Sequence, residues 1–374
     1  MLLSRSQFVL SFVVLSLLIV SCKKKRNPQP EPKPSVYTLT LAHQRTETVQ
    51  AAFLSMSSTN DGQHFFVSGG HDYGPGTDLH IYQPKTQQWQ IIPLSLQRSN
   101  TDVSYLKGKV FVAGGTTNSV DKFRIDIYDM ATRTSSVKLF GDNQYVHRVF
   151  SAILEDRYLL LNDESYFYLY DSQTDRWETI DIPLSKRVTA TDMVGVGTKV
   201  YLNDLHDYPA LKVFDFKTRE WTTLNAERQE AHIILMAVGD SIYFSGNRSF
   251  DALDHIDVLD TKTGLWSKII HPGKRAFYEM AFEPKSKSLI VTGGRTAEID
   301  AWGNPYLKMS DDLLTYNLQT KAWQQGKIKQ IRHAHTTQVV GDQFIIFGGE
   351  SIFNGYPATL PMEVYTLNYQ QVAN

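Results

Sequence analysis

A marker with a fixed spacing recurs along the chain and constrains its fold more than any other feature. In five places an aromatic or aliphatic residue is followed seven positions later by tryptophan, which accounts for five of the six tryptophans. A threonine lies inside each interval, where polar side chains that bond their own backbone predict a tight turn between two strands. The pairs are Tyr82/Trp89, Tyr170/Trp177, Phe214/Trp221, Leu259/Trp266 and Tyr316/Trp323, and a further unit has Tyr128 with Ser135 in the tryptophan place.

An apolar run ending in two small residues precedes each of these predicted hairpins. Glycine within a strand usually marks a bend or a close approach of two backbones, as strands crowded towards a common axis require. Four units have Gly69-Gly70, Gly114-Gly115, Gly293-Gly294 and Gly348-Gly349, whereas the three middle units have Asn162-Asp163, Asn203-Asp204 and Gly246-Asn247.

The combination of an apolar run, Gly-Gly, Tyr-Asp and tryptophan resembles the kelch repeat, whose units are the four-stranded blades of a β-propeller. The resemblance covers residues 36–374. Short, evenly spaced strands with turn signals and no helical periodicity indicate a radially repeated all-β fold on their own account. Seven units of about 48 residues fit a repeat period of about 50 better than six longer units do. We therefore expect an all-β, kelch-type propeller with seven four-stranded blades.

The N-terminal strand is expected to close the ring. The last unit ends too early to supply its own outermost strand. The apolar-alternating segment Tyr37 to Leu41 could supply it, because Tyr37 precedes Arg45 by about the number of residues that elsewhere separates a tryptophan from the next arginine. We therefore predict that this strand completes blade seven, with Tyr37 in the tryptophan place. Closure of this kind removes an exposed sheet edge.

An arginine opens every unit. Blade connections and the loops between second and third strands emerge on the same face of a propeller, so these arginines are expected near one mouth of the central channel. One hypothesis is a site for an anion or an acidic sugar, because guanidinium binds carboxylate in a bidentate manner. The alternative is that each arginine bonds backbone carbonyls or an acidic residue of the adjacent blade. The residues are Arg45, Arg98, Arg148, Arg187, Arg228, Arg275 and Arg332.

Three long loops on the same predicted face are candidates for ligand binding. Long loops on a rigid scaffold often carry binding residues, although packing of each loop on its neighbour is an alternative. Trp302 is the only tryptophan outside the repeat spacing, and an aromatic side chain there suits a sugar or a protein partner. The candidate residues are His71 and Tyr73 in blade one, Trp302 and Tyr306 in blade six, and Phe353 and Tyr356 in blade seven.

The N-terminal segment indicates secretion and lipid attachment. An apolar run from Phe8 to Val20 is too short for a stable membrane span and is typical of a signal peptide. Ile19-Val20-Ser21-Cys22 resembles the bacterial lipobox, and Cys22 is the only cysteine of the chain. We expect removal of residues 1–21, lipidation of Cys22 and a basic, proline-rich tether over residues 22–35. An ordinary signal peptide is the alternative, and the membrane and its face stay open within the bacterial cell envelope, outside the cytoplasm.

Composition and the absence of known catalytic motifs argue against several classes of function. The net charge of −1 argues against nucleic-acid binding. No recognised nucleophile, phosphate-loop or metalloprotease motif occurs, and His333 and His335 lack a recognisable third ligand, so no catalytic residue, cofactor or metal is expected. The main hypothesis is a membrane-tethered binding module that presents its loop-rich face to a protein or glycan. The alternative is an enzyme acting on an acidic sugar, similar to sialic-acid mutarotase, at the arginine-rimmed mouth. A carboxylate within reach of two of these arginines would favour the enzyme.

Overall fold

A computed structural model describes residues 35–49, 56–70, 77–115, 123–140, 149–163, 165–187, 189–204, 210–225, 234–245, 252–299, 305–353 and 356–372. Residues 36–374 form one compact unit. The described part of the chain contains a single helical segment, the 3-10 turn Leu184–Lys186, and therefore no helix that could cross a membrane.

Seven antiparallel blades of four strands each make up the unit, which confirms the predicted seven-bladed propeller, and the sheet of one blade continues into two further strands. The first strand among the described residues is β1 (Tyr37–Glu47). Blade one contains β2 (Met56–Asn60), β3 (Phe65–Gly69), β4 (Thr77–Gln83) and β5 (Gln88–Ile92). Blade two contains β6 (Asp102–Leu106), β7 (Lys109–Ala113), β8 (Phe123–Asp129) and β9 (Thr134–Phe140). Blade three contains β10 (Phe150–Leu154), β11 (Tyr158–Asn162), β12 (Tyr166–Asp171) and β13 (Arg176–Asp181).

The second half of the chain continues the pattern and adds two hairpins. Blade four contains β14 (Ala190–Val196), β15 (Lys199–Asp204), β16 (Ala210–Asp215) and β17 (Glu220–Asn225). Blade five contains β18 (Ile234–Val238), β19 (Ser241–Ser245), β20 (Leu253–Asp260) and β21 (Trp266–Ala276). Blade six contains β22 (Glu279–Glu283), β23 (Ser288–Thr292), β26 (Asp312–Asn317) and β27 (Ala322–Lys327), with the hairpin β24 (Arg295–Ile299) and β25 (Pro305–Met309) inserted after β23. Blade seven contains β28 (Thr336–Val340), β29 (Gln343–Phe347) and β32 (Met362–Gln371), with the hairpin β30 (Glu350–Phe353) and β31 (Tyr356–Thr359) inserted after β29.

The N-terminal strand closes the ring, as the sequence predicts. Blade seven has the strand order β1-β32-β29-β28, so β1 is its outermost strand. The expectation that Tyr37 fills the tryptophan place is wrong, because Tyr37 pairs with Gln371 at the end of β1. His43 pairs with Tyr365 instead, and the two rings meet edge to face with centroids 5.4 Å apart. The spacing misleads because β1 and β32 are longer than the repeat average and β1 carries a bulge between His43 and Arg45.

The repeated tryptophan and tyrosine pairs are cross-strand neighbours in the outer hairpin of each blade. Tyr82 pairs directly with Trp89, with ring centroids 4.8 Å apart. In the turn of blade three, the Asp171 carboxylate accepts hydrogen bonds from the backbone N–H of Gln173 and the hydroxyl of Thr174. The seven-residue spacing thus reflects two strands and a turn closed by polar side chains.

The glycine pairs lie where the segment connecting two blades passes the end of a second strand. A Cβ on Gly115 would lie 2.6 Å from the carbonyl oxygen of Ser99, and one on Gly293 would lie 2.4 Å from that of Arg332. Both glycines also have positive φ angles. Close backbone approach therefore explains the pairs, as predicted.

Candidate functional site

The loop-rich face of the propeller is the face on which the inner strands begin and the hairpins β24–β25 and β30–β31 emerge. Strand register shows which inner-strand residues share a level there. In five blades an early residue of the inner strand pairs with the residue just before Gly-Gly or Gly246-Asn247. In blades three and four it pairs with the first residue of the substitute pair, which is Asn162 or Asn203. These inner-strand residues are Ser57, Asp102, Phe150, Asp192, Ile234, Glu279 and Thr336.

Three of these seven positions are carboxylic acids, and they belong to alternate blades two, four and six. We call Asp102, Asp192 and Glu279 the acidic tier. All three side chains are half-buried. The Asp102 carboxylate accepts a hydrogen bond from the Ser57 hydroxyl of blade one at 3.1 Å. Sequence reasoning missed this group because the three residues are far apart along the chain and coincide only through strand register.

Asp192 and Glu279 differ in their hydrogen bonding. Asp192 accepts backbone N–H bonds from Met193 at 2.7 Å and from Leu235 of blade five at 2.6 Å. The described residues supply no hydrogen-bond partner to the Glu279 carboxylate. Asp192 therefore links two neighbouring inner strands, whereas Glu279 is held by burial alone.

The environment of the acidic tier raises the pKa of each member. Burial raises the pKa of Glu279 to about 8, and the negative charge of Asp192 adds to the effect. Burial likewise raises the pKa of Asp192 to about 7, with a smaller contribution from Asp102. Burial also raises the pKa of Asp102, although hydrogen bonds from Ser151, Ser57 and Ser104 oppose this. The carboxyl groups of Glu279 and Asp192 can therefore donate or accept a proton near neutral pH. In the described part of the chain no group of three or more His, Cys, Asp or Glu residues could hold a metal ion.

Three of the predicted arginines are buried and bonded within the blade that they open. Arg332 is fully buried, donates from Nη1 to the carbonyl oxygens of Gly348 at 2.8 Å and Pro361 at 3.0 Å, and pairs with Glu363 at 2.6 Å. These contacts match the structural alternative, except that the acidic partner lies in the arginine's own blade rather than the adjacent one.

Arg98 repeats this arrangement, and Arg275 repeats its ion pair. Arg98 donates to the carbonyl oxygen of Gly114 at 2.6 Å and pairs with Asp126 at 2.9 Å. Arg275 pairs with Asp312 at 2.9 Å. Among the residues described, each of these carboxylates is bonded by only one of the predicted arginines, which is not the arrangement that would favour an acidic-sugar enzyme.

The other predicted arginines have different surroundings. Arg45 lies on β1 and contacts Glu47 and the hydroxyl of Tyr82. Arg187 is exposed and makes a long contact of 3.4 Å with the carbonyl oxygen of Ile182. Arg148 and Arg228 lie outside the described residues.

The predicted binding loops of blades six and seven are hairpins rather than irregular loops. Tyr306 on β25 is 44% exposed, and its hydroxyl donates to the Glu298 carboxylate at 2.7 Å. Lys308 pairs with the same carboxylate at 3.1 Å. Phe353 and Tyr356 are paired residues at the end of the hairpin β30–β31. Trp302, His71 and Tyr73 lie outside the described residues.

A second group of residues joins these two hairpins. Arg295 on β24 contacts Nε2 of His333 at 2.9 Å, and the same nitrogen lies 3.2 Å from Glu350 on β30. The Arg295 guanidinium also lies over the Phe277 ring, 5.4 Å from its centroid. Burial, followed by the charge of Arg295, lowers the pKa of His333 to about 4, so the imidazole is neutral at pH 7. We call Arg295, His333 and Glu350 the hairpin junction. The sequence singled out His333, but as a weak metal candidate.

The hairpin of blade six is also tied to blade five. Strand β24 pairs with the end of β21 through Arg275 with Thr296 and Ala276 with Arg295. Blades five, six and seven therefore all contact the two hairpins, and Tyr306 lies on the hairpin that pairs with blade five.

Comparisons with known proteins agree with this architecture. Residues 149–349 match the KLHDC2/KLHL20/DRC7 Kelch-repeats domain. The chain is 23% identical to an F-box/kelch-repeat protein of Arabidopsis thaliana over 164 residues, covering 43% of this chain and 42% of that protein. It is 24% identical to Kelch repeat and BTB domain-containing protein 6 of Homo sapiens over 188 residues, covering 50% of this chain and 26% of that protein. The chain thus spans less than half the length of these curated relatives.

The structure of YjhT shares the fold, with a TM-score of 0.54 and 14% identity over 87% of this chain and 99% of that one. The family match extends over more than half of the sequence. The chain belongs to the kelch-repeat family.

Proposed function

We propose that this chain is a binding module that engages a protein partner through its loop-rich face. The observation that carries the proposal is the pair of hairpins β24–β25 and β30–β31, which the hairpin junction ties together above blades six and seven. A partly exposed tyrosine beside charged groups is typical of protein recognition, and the bond of the Tyr306 hydroxyl to Glu298 reduces the side-chain freedom that binding would remove.

The predicted contact residues on this face are Tyr306, Trp302, Phe353 and Tyr356, with His71 and Tyr73 from blade one. In this proposal the buried arginines stabilise the blades rather than bind a ligand, since they already bond to carbonyl or carboxylate oxygens of the protein. A glycan is the other partner class that such aromatic side chains could bind.

An acidic-sugar enzyme stays a second candidate because of the acidic tier. A carboxyl group with a pKa of about 8, as in Glu279, suits general acid–base chemistry near neutral pH. Such an enzyme would use Glu279 or Asp192 for proton transfer, and substrate recognition would have to come from groups other than the three buried arginines.

We further propose that the protein is attached to a membrane through lipidated Cys22 and lies outside the cytoplasm. The support is the sequence alone: a short apolar leader, a lipobox-like ending and the single cysteine at that site. The proline-rich residues 27–35 would hold the propeller away from the membrane as a stiff, extended segment.

The proposal is tested by comparing a glycan array with cross-linking and pull-down from cell-envelope extracts, using the fragment 36–374. Binding of the captured protein should weaken about tenfold for Tyr306→Ala or Trp302→Ala, as expected for interface aromatics. The matched control is Ile91→Ala, an exposed apolar residue on the outer strand of blade one. Array hits without any captured protein would favour a glycan, and a loss of binding for Ile91→Ala alone would place the interface elsewhere.

A further inference from the structure

Blade two lacks the aromatic ring that the other six blades carry opposite the hairpin residue of the third strand. Five blades have a tryptophan opposite the hairpin tyrosine, phenylalanine or leucine, and blade seven has His43. In blade two the residue opposite Tyr128 is Ser135. The hairpin pairs in the same way as in the other blades, so only the aromatic side chain on its outer strand is missing.

The intact blades show what the ring does. Trp177 stacks on Tyr170 of its own blade, with centroids 5.0 Å apart, and reaches Phe111 and Phe140 of the preceding blade at 6.1 and 5.4 Å. Trp89 similarly reaches Phe347 of blade seven at 5.7 Å. An indole in this place therefore covers the outer part of the groove between two blades.

Where the indole is missing, the groove between blades one and two is open. We call this opening the notch. The notch is shallow. About 200 Å³ there is not filled by protein atoms, but this space includes open solvent, and the enclosed part, about 10 Å³, is no larger than about one water molecule. Its lining residues include Leu79, Ile92 and Leu94 of blade one and Val112, Tyr128 and Ser135 of blade two. The Asp126 carboxylate also lines it, and this charge is already paired with Arg98.

The strand beside the notch is also exposed. Strand β9 is the last strand of its sheet, and every residue of it except Phe140 is exposed. Val137 and Leu139, two and four positions after Ser135, are 43% and 44% exposed. Because alternate residues of a strand share a face, these side chains extend the apolar surface from the notch along β9.

The charge at this edge is positive. Strand β9 contains Lys138 and no carboxylate, and Arg133 precedes it in the turn. The nearby Asp129 carboxylate already accepts backbone N–H bonds from Ala131 and Thr132. An acidic polypeptide would therefore find complementary charge along β9, whereas a basic one would not.

We propose that the notch receives a tryptophan side chain from an acidic segment of a partner protein, and that this segment adds to β9 as a fifth strand of blade two. A residue opposite Ser135 in an added strand would have its Cβ about 5 Å away on the same face. Its indole would then lie over Ser135 against Tyr128 and the aliphatic side chains of blade one. Backbone hydrogen bonds to the open edge of β9 would supply affinity, as in other cases of strand addition.

The test uses the full chain and a fluorescently labelled, capped peptide with the sequence Val-Glu-Trp-Glu-Val as the probe, which places its glutamates on the face of Lys138 and its valines on the face of Val137. Saturable binding by fluorescence anisotropy is expected, and replacing the peptide tryptophan by alanine should weaken it at least about tenfold. In the protein, Ser135→Trp should weaken binding by a similar factor because its own indole occupies the notch. The matched control is Ser136→Trp on the opposite face of β9, which should bind within about twofold of the wild type.

Two further variants keep the test decisive. If Ser135→Trp does not fold, Ser135→Glu should also abolish binding, since it places a charge in an apolar notch and repels the acidic peptide. Lys138→Glu should weaken binding severalfold, more at low salt than at high salt. The proposal is overturned if the peptide does not saturate the protein, if the tryptophan and alanine peptides bind equally, or if Ser135→Trp binds like Ser136→Trp. It is equally overturned if free N-acetyltryptophanamide binds as tightly as the peptide, because the notch would then take a small molecule without strand addition.

Discussion

Replacing Glu279 by glutamine should remove a loss of unfolding free energy that the wild type undergoes as the pH rises. Burial and the charge of Asp192 raise the pKa of Glu279 from its ordinary value of 4.5 to about 8. The folded protein therefore holds a proton that the unfolded chain releases above pH 4.5. The stabilisation that this proton provides is complete below pH 4.5 and is lost as the pH rises through 8.

The size of the effect follows from the two pKa values. A shift of this size corresponds to about 5 kcal/mol of unfolding free energy above pH 8, at about 1.4 kcal/mol per unit. Glu279 is only half-buried, so water screens part of this energy and we expect about 2–3 kcal/mol. Glu279→Gln should therefore match the wild type near pH 4 and be more stable by that amount at pH 9.

Urea unfolding between pH 4 and pH 9 measures the difference. The wild type should lose stability across this range more steeply than Glu279→Gln. The matched control is Glu220→Gln, an exposed residue on the outer strand β17, which should run parallel to the wild type. Parallel curves for Glu279→Gln and the wild type would show that the carboxylate is well hydrated, and the assignment of raised pKa values to the acidic tier would be refuted.

Three other predictions concern the tether, the closure and the repeat. Cys22→Ala should fold normally yet leave the membrane fraction, since lipid would be its only attachment; recovery of the variant in membranes would contradict this. A fragment starting at residue 43 should melt lower and aggregate more than one starting at residue 36, because it lacks most of the β1 ladder on β32; equal melting temperatures would contradict the closure. Trp177→Ala should cost about 3–5 kcal/mol of unfolding free energy by denaturant titration, whereas Tyr306→Ala should leave it nearly unchanged; similar losses in both would show that the hairpin β24–β25 is structural.

The sequence revealed the blades because their defining contacts are local. Tyr82 and Trp89 meet across a single turn, so their spacing along the chain predicts their pairing in space. The blade number and the closing strand followed from counting such units. The exact register of β1 did not, because a bulge and two long strands have no counterpart elsewhere in the repeat.

The candidate site was less predictable from the sequence, because its residues are distant along the chain and only the folded structure brings them together. Asp102, Asp192 and Glu279 occupy one level only after three inner strands are registered against their neighbours. The arginines were visible as a repeat, but whether Arg332 faces a ligand or Glu363 depends on packing. Ser135 was visible as an exception to the tryptophan repeat, and only the structure showed the notch beside it.

The partnership of β1 with β32 also sets the order in which the protein can form. The Thr38 hydroxyl donates to the carbonyl oxygen of Gln370, 332 residues further along the chain. The ribosome releases β1 long before β32 has been synthesised, so β1 has no partner strand while the sequence of the other six blades is made. Contacts of such long range make folding slow and leave a strand open to unwanted pairing in the meantime. The same strand that covers an edge in the finished ring thus stays without its partner during most of the synthesis of the chain.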